Sequence, residues 1–265
     1  MKVGVLVFPG TNSEDETVRA VQAAGVAAQL VHWSTDPAAA GDFDAYILPG
    51  GFAHEDRIRA GAVAAHDKLM DVVIAGAQAG KLVLGICNGA QVLLETGLVP
   101  GTGPIRRPSA AFAPNAAGGR FRSVRVYART VGDRGRSPFL AALSDEPISM
   151  WASHGDGRLI ASAEELRTIE AGGHIAFVYT DERGLATDAA VPNGSALGVA
   201  GLINARGNVL AIMPHPERDG WVFQHRDGPE RLAAMNDTQA MLAPSGGSQI
   251  FTALARVLGT TSGAR

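Results

Sequence analysis

The chain has 265 residues, of which 46% are hydrophobic and 18% charged, so it can bury a sizeable core as a folded protein. Its formal net charge of −3 argues against a nucleic-acid partner, which would call for a basic surface. The single cysteine excludes an intramolecular disulfide and is typical of a reducing compartment.

No stretch approaches the roughly 20 apolar residues that a membrane helix needs. The apolar run near the start ends at Pro9, too early for the core of a signal peptide. We therefore expect a cytoplasmic protein with no membrane partner. We also expect one domain over residues 1–265, with a frayed tail at 259–265.

The first part of the chain alternates strand-like and helical segments. Val3–Phe8 is apolar throughout, which predicts a buried parallel strand, and Asn12 or Ser13 is placed to cap the helix that follows. The other predicted elements are strands at Ala28–His32, Ala45–Leu48 and Leu82–Ile86 and helices at about Ala60–Ala79 and at Asn88–Glu95. This alternation predicts a doubly wound α/β fold with a mostly parallel sheet flanked by helices.

The second part predicts an added antiparallel portion. Pro104–Gly119 and Asp219–Gly247 are predicted to be irregular, and Gln249–Val257 a final helix. Short strands are predicted at Arg122–Arg129, Ile148–Ala152, Ile175–Tyr179, Leu197–Ile203 and Val209–Met213. A hairpin turn at 204–208 joins the last two of these strands.

A candidate nucleophile stands between a predicted strand and a predicted helix. The sequence Gly85-Ile86-Cys87-Asn88-Gly89 has small residues on both sides of the cysteine, as a tight strand-to-helix turn requires. The start of the helix favours a thiolate, and the backbone N–H of Asn88 is placed to donate to an oxyanion. The alternative is a buried, inert cysteine.

A candidate base follows the last predicted strand. His215 and Glu217 are two residues apart in a proline-rich segment, so in an extended chain they face the same side. A carboxylate on one ring nitrogen leaves the other free to take a thiol proton. The alternative is an ordinary polar loop. A metal site is disfavoured, because no second cluster of histidine or cysteine with ligand spacing is present.

Two further segments are candidates for substrate contacts. Gly50-Gly51 follows a predicted strand, where glycine lets the backbone approach a ligand, although a plain turn is the alternative. The sequence Ser153-His154-Gly155-Asp156 carries a histidine that, taken alone, is more typical of a satisfied loop residue than of a catalyst.

Together, these motifs resemble the class I, triad-type glutamine amidotransferases, in the right order over nearly the whole chain. The resemblance implies a triad of Cys87, His215 and Glu217. It implies backbone oxyanion donors at Gly51 and Asn88. For the α-groups of glutamine it implies Gln91 with His154, Gly155 and Asp156.

Five other segments narrow the resemblance to the glutaminase subunits of phosphoribosylformylglycinamidine synthase, an ATP-dependent enzyme of purine synthesis. These segments are Val7–Asn12, Gly50–Phe52, Arg59–Ala62, Pro192–Ser195 and Met213–Arg218. Two departures stand out: Ala53-His54-Glu55-Asp56 replaces the usual Ser/Ala-Tyr-Gly-Asp, and the chain is longer around Arg106–Gly119 and Gly220–Gly247.

The narrower resemblance implies that ammonia from glutamine passes to a separate synthetase subunit, with or without a small third subunit. No cofactor is expected in this chain, which lacks a G-x-x-x-x-G-K-[ST] loop; ATP and Mg²⁺ are expected on the synthetase. The alternatives are a glutaminase of another pathway, a stand-alone γ-glutamyl or peptide hydrolase on the same fold, and a non-enzymatic scaffold.

Overall fold

The structure is a computed structural model that describes residues 1–116, 118–225, 230 and 242–259. The predicted frayed tail, apart from Gly259, and much of the predicted irregular segment Asp219–Gly247 lie outside these residues. Among the described residues, no helix is long and apolar enough to cross a membrane.

Strands and helices alternate through the first part of the chain. The strands are β1 (Lys2–Val7), β2 (Ala27–His32), β3 (Ala45–Leu48), β4 (Leu82–Ile86), β5 (Ala110–Ala113), β6 (Arg122–Thr130), β7 (Ile148–His154), β8 (Arg158–Ala161), β9 (Ile175–Thr180), β10 (Val199–Ile203) and β11 (Val209–Ile212). The helices are α1 (Glu14–Ala23), α2 (Pro37–Ala40), α3 (Lys68–Gln78), α4 (Asn88–Glu95), α5 (Ala163–Ala171) and α6 (Ser248–Val257).

Among the described residues, nine strands form one sheet in the order β2-β1-β3-β4-β11-β10-β9-β6-β7, and β5 pairs separately with β8. The strands from β2 to β11 are parallel, and β10, β9, β6 and β7 continue the sheet antiparallel. The predicted doubly wound sheet with an added antiparallel portion is confirmed. The strands β3, β4, β10 and β11 are buried along their full length, as their uninterrupted apolar sequences require.

Several local predictions were wrong. The helix predicted to begin at Ala60 begins at Lys68, because the Asp67 carboxylate accepts the Leu69 N–H at 2.8 Å and caps it there. Ser13 occupies the cap position of α1 without capping it; its hydroxyl accepts a hydrogen bond from Arg218 instead. The segment Pro104–Gly119 is not wholly irregular, since it contains β5, whose partner β8 lies far along the chain.

Candidate active site

The predicted site segments meet at the carboxyl edge of the parallel strands. The strand order reverses between β1 and β3, and a crevice forms at such a point in an open α/β sheet. Gly51 follows β3, Cys87 follows β4 and His215 follows β11, which is hydrogen-bonded to β4. Segments far apart in sequence are therefore brought to one place by the sheet.

Cys87 stands on a strained turn at the start of α4. Its φ of 51° and ψ of −107° are rare for a residue with a side chain, so surrounding contacts must impose them. Its N–H donates to the Ile212 carbonyl at 2.8 Å, and the Gly89 N–H donates to Pro49 at 3.1 Å. A Cβ at position 89 would overlap the Leu48 carbonyl, so only glycine lets the helix approach β3 this closely.

His215 and Glu217 form a buried pair beside Cys87. The Nδ1 of His215 lies 2.5 Å from Oε1 of Glu217, and their side chains are 2% and 0% exposed. Burial by itself lowers the pKa of His215, but the Glu217 carboxylate and a hydrogen bond with the Cys87 sulfur raise the pKa well above its ordinary value. The ring is thus held between a carboxylate and a thiol.

The backbone around His215 is fixed as well. Its N–H donates to the Trp151 carbonyl at 2.7 Å, and the Trp151 N–H donates to the His215 carbonyl at 3.3 Å. On its other side, a Cβ at Gly50 would overlap the His215 Cε1 atom. The imidazole therefore has little room to move.

Gly51 presents its N–H at the same edge of the sheet. It forms an isolated bridge with Thr11, made by the N–H of Phe52 to Gly10 at 2.8 Å and the N–H of Asn12 to Gly50 at 3.2 Å. Both hydrogen bonds are made by residues next to Thr11 and Gly51, so the pairing of the two segments does not use the Gly51 N–H. With a φ of 151°, position 51 favours glycine, and a Cβ there would lie 2.7 Å from the Gly10 carbonyl.

The side chains of Asn88 and Gln91 form a hydrogen-bonded network on the first turn of α4. Asn88 accepts from the Ala53 N–H at 2.9 Å and donates to Asp56 at 3.1 Å and to Gln91 at 2.9 Å. Gln91 in turn donates to the carbonyl oxygen of Asp156 at 2.5 Å. Sequence reasoning noted Asp56 only as part of a departing motif and missed its place in this network.

The contacts of His154 involve its ring, whereas Asp156 is bound through its backbone carbonyl. His154 is 3% exposed, and its Nδ1 lies 3.2 Å from the side-chain oxygen of Asn115. Burial, followed by the nearby charge of His215, lowers the pKa of His154 to about 4, so its ring is neutral at physiological pH. Sequence reasoning missed Asn115 altogether, because a single asparagine in an irregular stretch carries no signal.

Among the described residues, no group of three or more histidine, cysteine or acidic side chains is arranged to hold a metal ion. The grouping that does occur is a thiol on a strained turn, a carboxylate-bound imidazole and two glycine-supported backbone turns. Such a set can form and break a bond between sulfur and a carbonyl carbon, which is acyl-transfer chemistry.

Comparisons with known proteins agree on one family. Residues 1–255 match the CobB/CobQ-like glutamine amidotransferase domain. The phosphoribosylformylglycinamidine synthase subunit PurQ of Symbiobacterium thermophilum is 41% identical over 221 residues, covering 82% of this chain and 88% of the relative. The same subunit of Moorella thermoacetica is 40% identical over 242 residues, covering 89% and 96%. A chain in the structure of PurLQS from Thermotoga maritima matches with a TM-score of 0.71 and 27% identity, covering 97% and 98%.

Proposed function

The chain belongs to the CobB/CobQ-like glutamine amidotransferase family, and from that premise we propose that it is the glutaminase subunit of a phosphoribosylformylglycinamidine synthase. It is an enzyme that hydrolyses glutamine to glutamate. The observation that carries the chemistry is the strained Cys87 beside the buried pair of His215 and Glu217. The likeness to PurQ subunits over more than four fifths of both chains supports the pathway.

Cys87 acts as the nucleophile. His215 takes the thiol proton, and the sulfur forms a bond to the side-chain amide carbon of glutamine. The N–H groups of Gly51 and Asn88 donate to the oxyanion that results. As the carbon–nitrogen bond breaks, His215 returns the proton to the leaving nitrogen, and ammonia departs from a γ-glutamyl thioester on Cys87.

Hydrolysis of the thioester uses the same groups in reverse. His215 removes a proton from water, whose oxygen bonds to the thioester carbon. The carbon–sulfur bond then breaks to release glutamate, and His215 returns the proton to the Cys87 sulfur. Glu217 keeps a proton on Nδ1 of His215 and stabilises the imidazolium that forms in each half of the reaction. Gln91, with the segment from His154 to Asp156, holds the α-groups of glutamine.

The ammonia is consumed on another subunit. The relatives' name and the PurLQS structure support a synthetase partner together with a small third subunit. ATP and Mg²⁺ act on that synthetase, because this chain has no phosphate-binding loop of the G-x-x-x-x-G-K-[ST] kind. A cytoplasmic location, where such a complex would meet its substrates, remains our prediction.

The proposal is tested with Cys87→Ala in the complex assembled with its synthetase. We expect glutamine-dependent synthesis of formylglycinamidine ribonucleotide to be lost and ammonia-dependent synthesis to be retained. Glutaminase activity in Cys87→Ala would refute the assigned nucleophile. A wild-type chain that hydrolyses glutamine or γ-glutamyl peptides at full rate without any synthetase would refute the role as a subunit.

A further inference from the structure

Residues 154–157 form a loop that begins next to the proposed nucleophile. The Cys87 sulfur lies 3.7 Å from the Ser153 carbonyl oxygen, just before the loop, and Gln91 binds the Asp156 carbonyl at 2.5 Å. The strand β7 ends at His154, so the backbone beyond it leaves the sheet and needs other hydrogen-bond partners. Two buried asparagines from distant segments supply them.

Asn115, which is 3% exposed, holds the loop from one side. Its side-chain oxygen accepts the Gly157 N–H at 3.0 Å, and its side-chain nitrogen donates to the carbonyls of His154 at 2.8 Å and Arg120 at 2.9 Å. Its own N–H donates to the Gly155 carbonyl at 2.8 Å. One residue thus binds the backbone at 154, 155 and 157.

These partners also determine which ring nitrogen of His154 carries the proton. A carbonyl can only accept and an N–H can only donate, so the amide of Asn115 must face the two carbonyls with nitrogen and Gly157 with oxygen. The His154 Nδ1, 3.2 Å from that oxygen, therefore carries the proton of the neutral ring. The orientation of the Asn115 amide thereby determines which tautomer His154 adopts.

Asn193, which is 1% exposed, holds the loop from the other side. Its side-chain nitrogen donates to the Gly157 carbonyl at 2.7 Å, and its side-chain oxygen accepts the Ser195 N–H at 3.0 Å. Its backbone carbonyl accepts the Ala116 N–H at 2.9 Å, which joins the two asparagine segments. The motif Pro192–Ser195, which the catalytic roles leave unexplained, is thus part of the support of the loop.

Two glycines make this support possible. A Cβ at Gly157 would overlap the His154 ring, so the loop can fold over that ring only without a side chain there. Gly194 has a φ of 78°, and a Cβ on it would lie 2.6 Å from the Cβ of Ala116. Both glycines serve the contact between the two asparagine segments and the loop.

We propose that Asn115 and Asn193 are positioning residues for glutamine: they hold the loop of residues 154–157 so that the Asp156 carbonyl is fixed where the amino-acid end of the substrate binds. The inference rests on the proposed glutaminase function. A loop held in its bound shape spends little free energy on ordering when substrate arrives. When the Asn115 or the Asn193 amide is removed, part of the ordering of the loop must come from glutamine itself, which weakens binding of the ground state and the transition state alike.

The experiment compares Asn115→Ala and Asn193→Ala with a matched control, Asn208→Ala, in the complex with its synthetase. Asn208 is also buried, and its amide donates to the carbonyls of Ala77 and Lys81, both at 2.8 Å, at the other end of β11. We expect the two loop variants to raise the KM for glutamine by about tenfold or more and to change kcat much less. The control is expected to lower Tm by about as much as the two loop variants do, but to leave the KM for glutamine unchanged.

A second readout uses the free chain and two thiol reagents. A glutamine-analogue electrophile carries the amino-acid group, whereas iodoacetamide does not, so a displaced loop should slow labelling of Cys87 by the first reagent alone. Ser195→Ala removes only a hydroxyl, which accepts the Leu159 N–H at 2.9 Å and donates to the Gly157 carbonyl of the loop at 3.4 Å. It provides a milder variant, with KM raised about two- to threefold, if the asparagine variants do not fold.

Equal KM values in the loop variants and the control, or equal slowing of both reagents, would overturn the positioning role. A wild-type complex that does not hydrolyse glutamine, or a wild-type thiol labelled no faster by the glutamine analogue than by iodoacetamide, would instead overturn the proposed function. The two failures are therefore distinguishable.

Discussion

The Nδ1 of His215 lies 2.5 Å from Oε1 of Glu217, with both side chains buried. Because the carboxylate raises the pKa of His215, Glu217→Gln should lower that pKa and remove the charge that stabilises the imidazolium. We expect kcat for glutamine hydrolysis to fall by about 10²–10⁴. Steady-state kinetics measures kcat, and an NMR titration of the His215 ring protons measures the pKa.

Asp219→Asn is the matched control, since Asp219 is also fully buried and its partner is Arg125, at 3.1 Å, rather than His215. Ammonia-dependent synthesis should be unaffected in both variants. A Glu217→Gln enzyme with wild-type kcat would show that the carboxylate does not act through His215.

The parallel half of the fold could be predicted from sequence because its signals are local. Leu82–Ile86 and Asn88–Glu95 have the predicted bounds, since an apolar run, a glycine-flanked turn and a helical stretch follow one another directly. The start of α3 was misplaced because the alanine-rich stretch after Ala60 is helix-prone, whereas Asp67 caps the helix and sets its actual start.

The supports of the site could not be predicted, because they depend on pairs distant in the chain. The pairing of β5 with β8 spans about fifty residues, and α5 and β8 were both missed. Asn115 and Asn193 look like ordinary loop residues until folding brings both to Gly157. Sequence motifs indicated which residues are reactive, and the three-dimensional contacts indicate what holds them.

A substitution at Gly50 tests how closely the His215 ring is packed. A Cβ at this position would overlap the His215 Cε1 atom, and the ring cannot retreat easily because Nδ1 is bound to Glu217. Gly50→Ala should therefore displace the imidazole from its place beside the thiol and lower kcat by about 10², because a misplacement of about 1 Å can cost this much. Gly103→Ala is the control, because the nearest atom to its Cβ, the Arg107 carbonyl oxygen, is 3.8 Å away. Similar kcat values for the two variants would contradict the prediction.

Arg59 and Glu95 tie the loop after Gly51 to the end of α4. Nε and Nη2 of Arg59 lie 2.6 and 2.5 Å from the two carboxylate oxygens of Glu95, whose side chain is 7% exposed. A double-mutant cycle with alanine, measured by urea unfolding, should give a coupling free energy of about 1 kcal/mol for this two-pronged pair. The exposed pair of Arg57 and Glu55, at 3.0 Å, is the control and should give less than about 0.5 kcal/mol. Equal couplings would contradict the expected benefit of the paired geometry.

Asp56 should make stability depend on pH. Burial raises its pKa, the Asn88 hydrogen bond partly opposes this and the charge of Asp156 adds to it, so that the pKa of Asp56 is about 6. Between its unfolded pKa of about 4 and this value the folded state binds more protons, so stability falls as pH rises through that window and stays lower above it. Asp56→Asn keeps an acceptor for Asn88 and removes the buried charge.

At about pH 7.5, Asp56→Asn should therefore unfold at a higher temperature than the wild type, and at about pH 4 the difference should vanish. Because the carboxyl group is only half buried, the gain is at most about 1 kcal/mol, or a few degrees in Tm. Thermal unfolding followed by circular dichroism at the two pH values measures it. Glu146→Gln, which removes an exposed charge, is the control for net charge. A Tm difference of the same size at both pH values would show that the Asp56 carboxyl is not the group that titrates in this window.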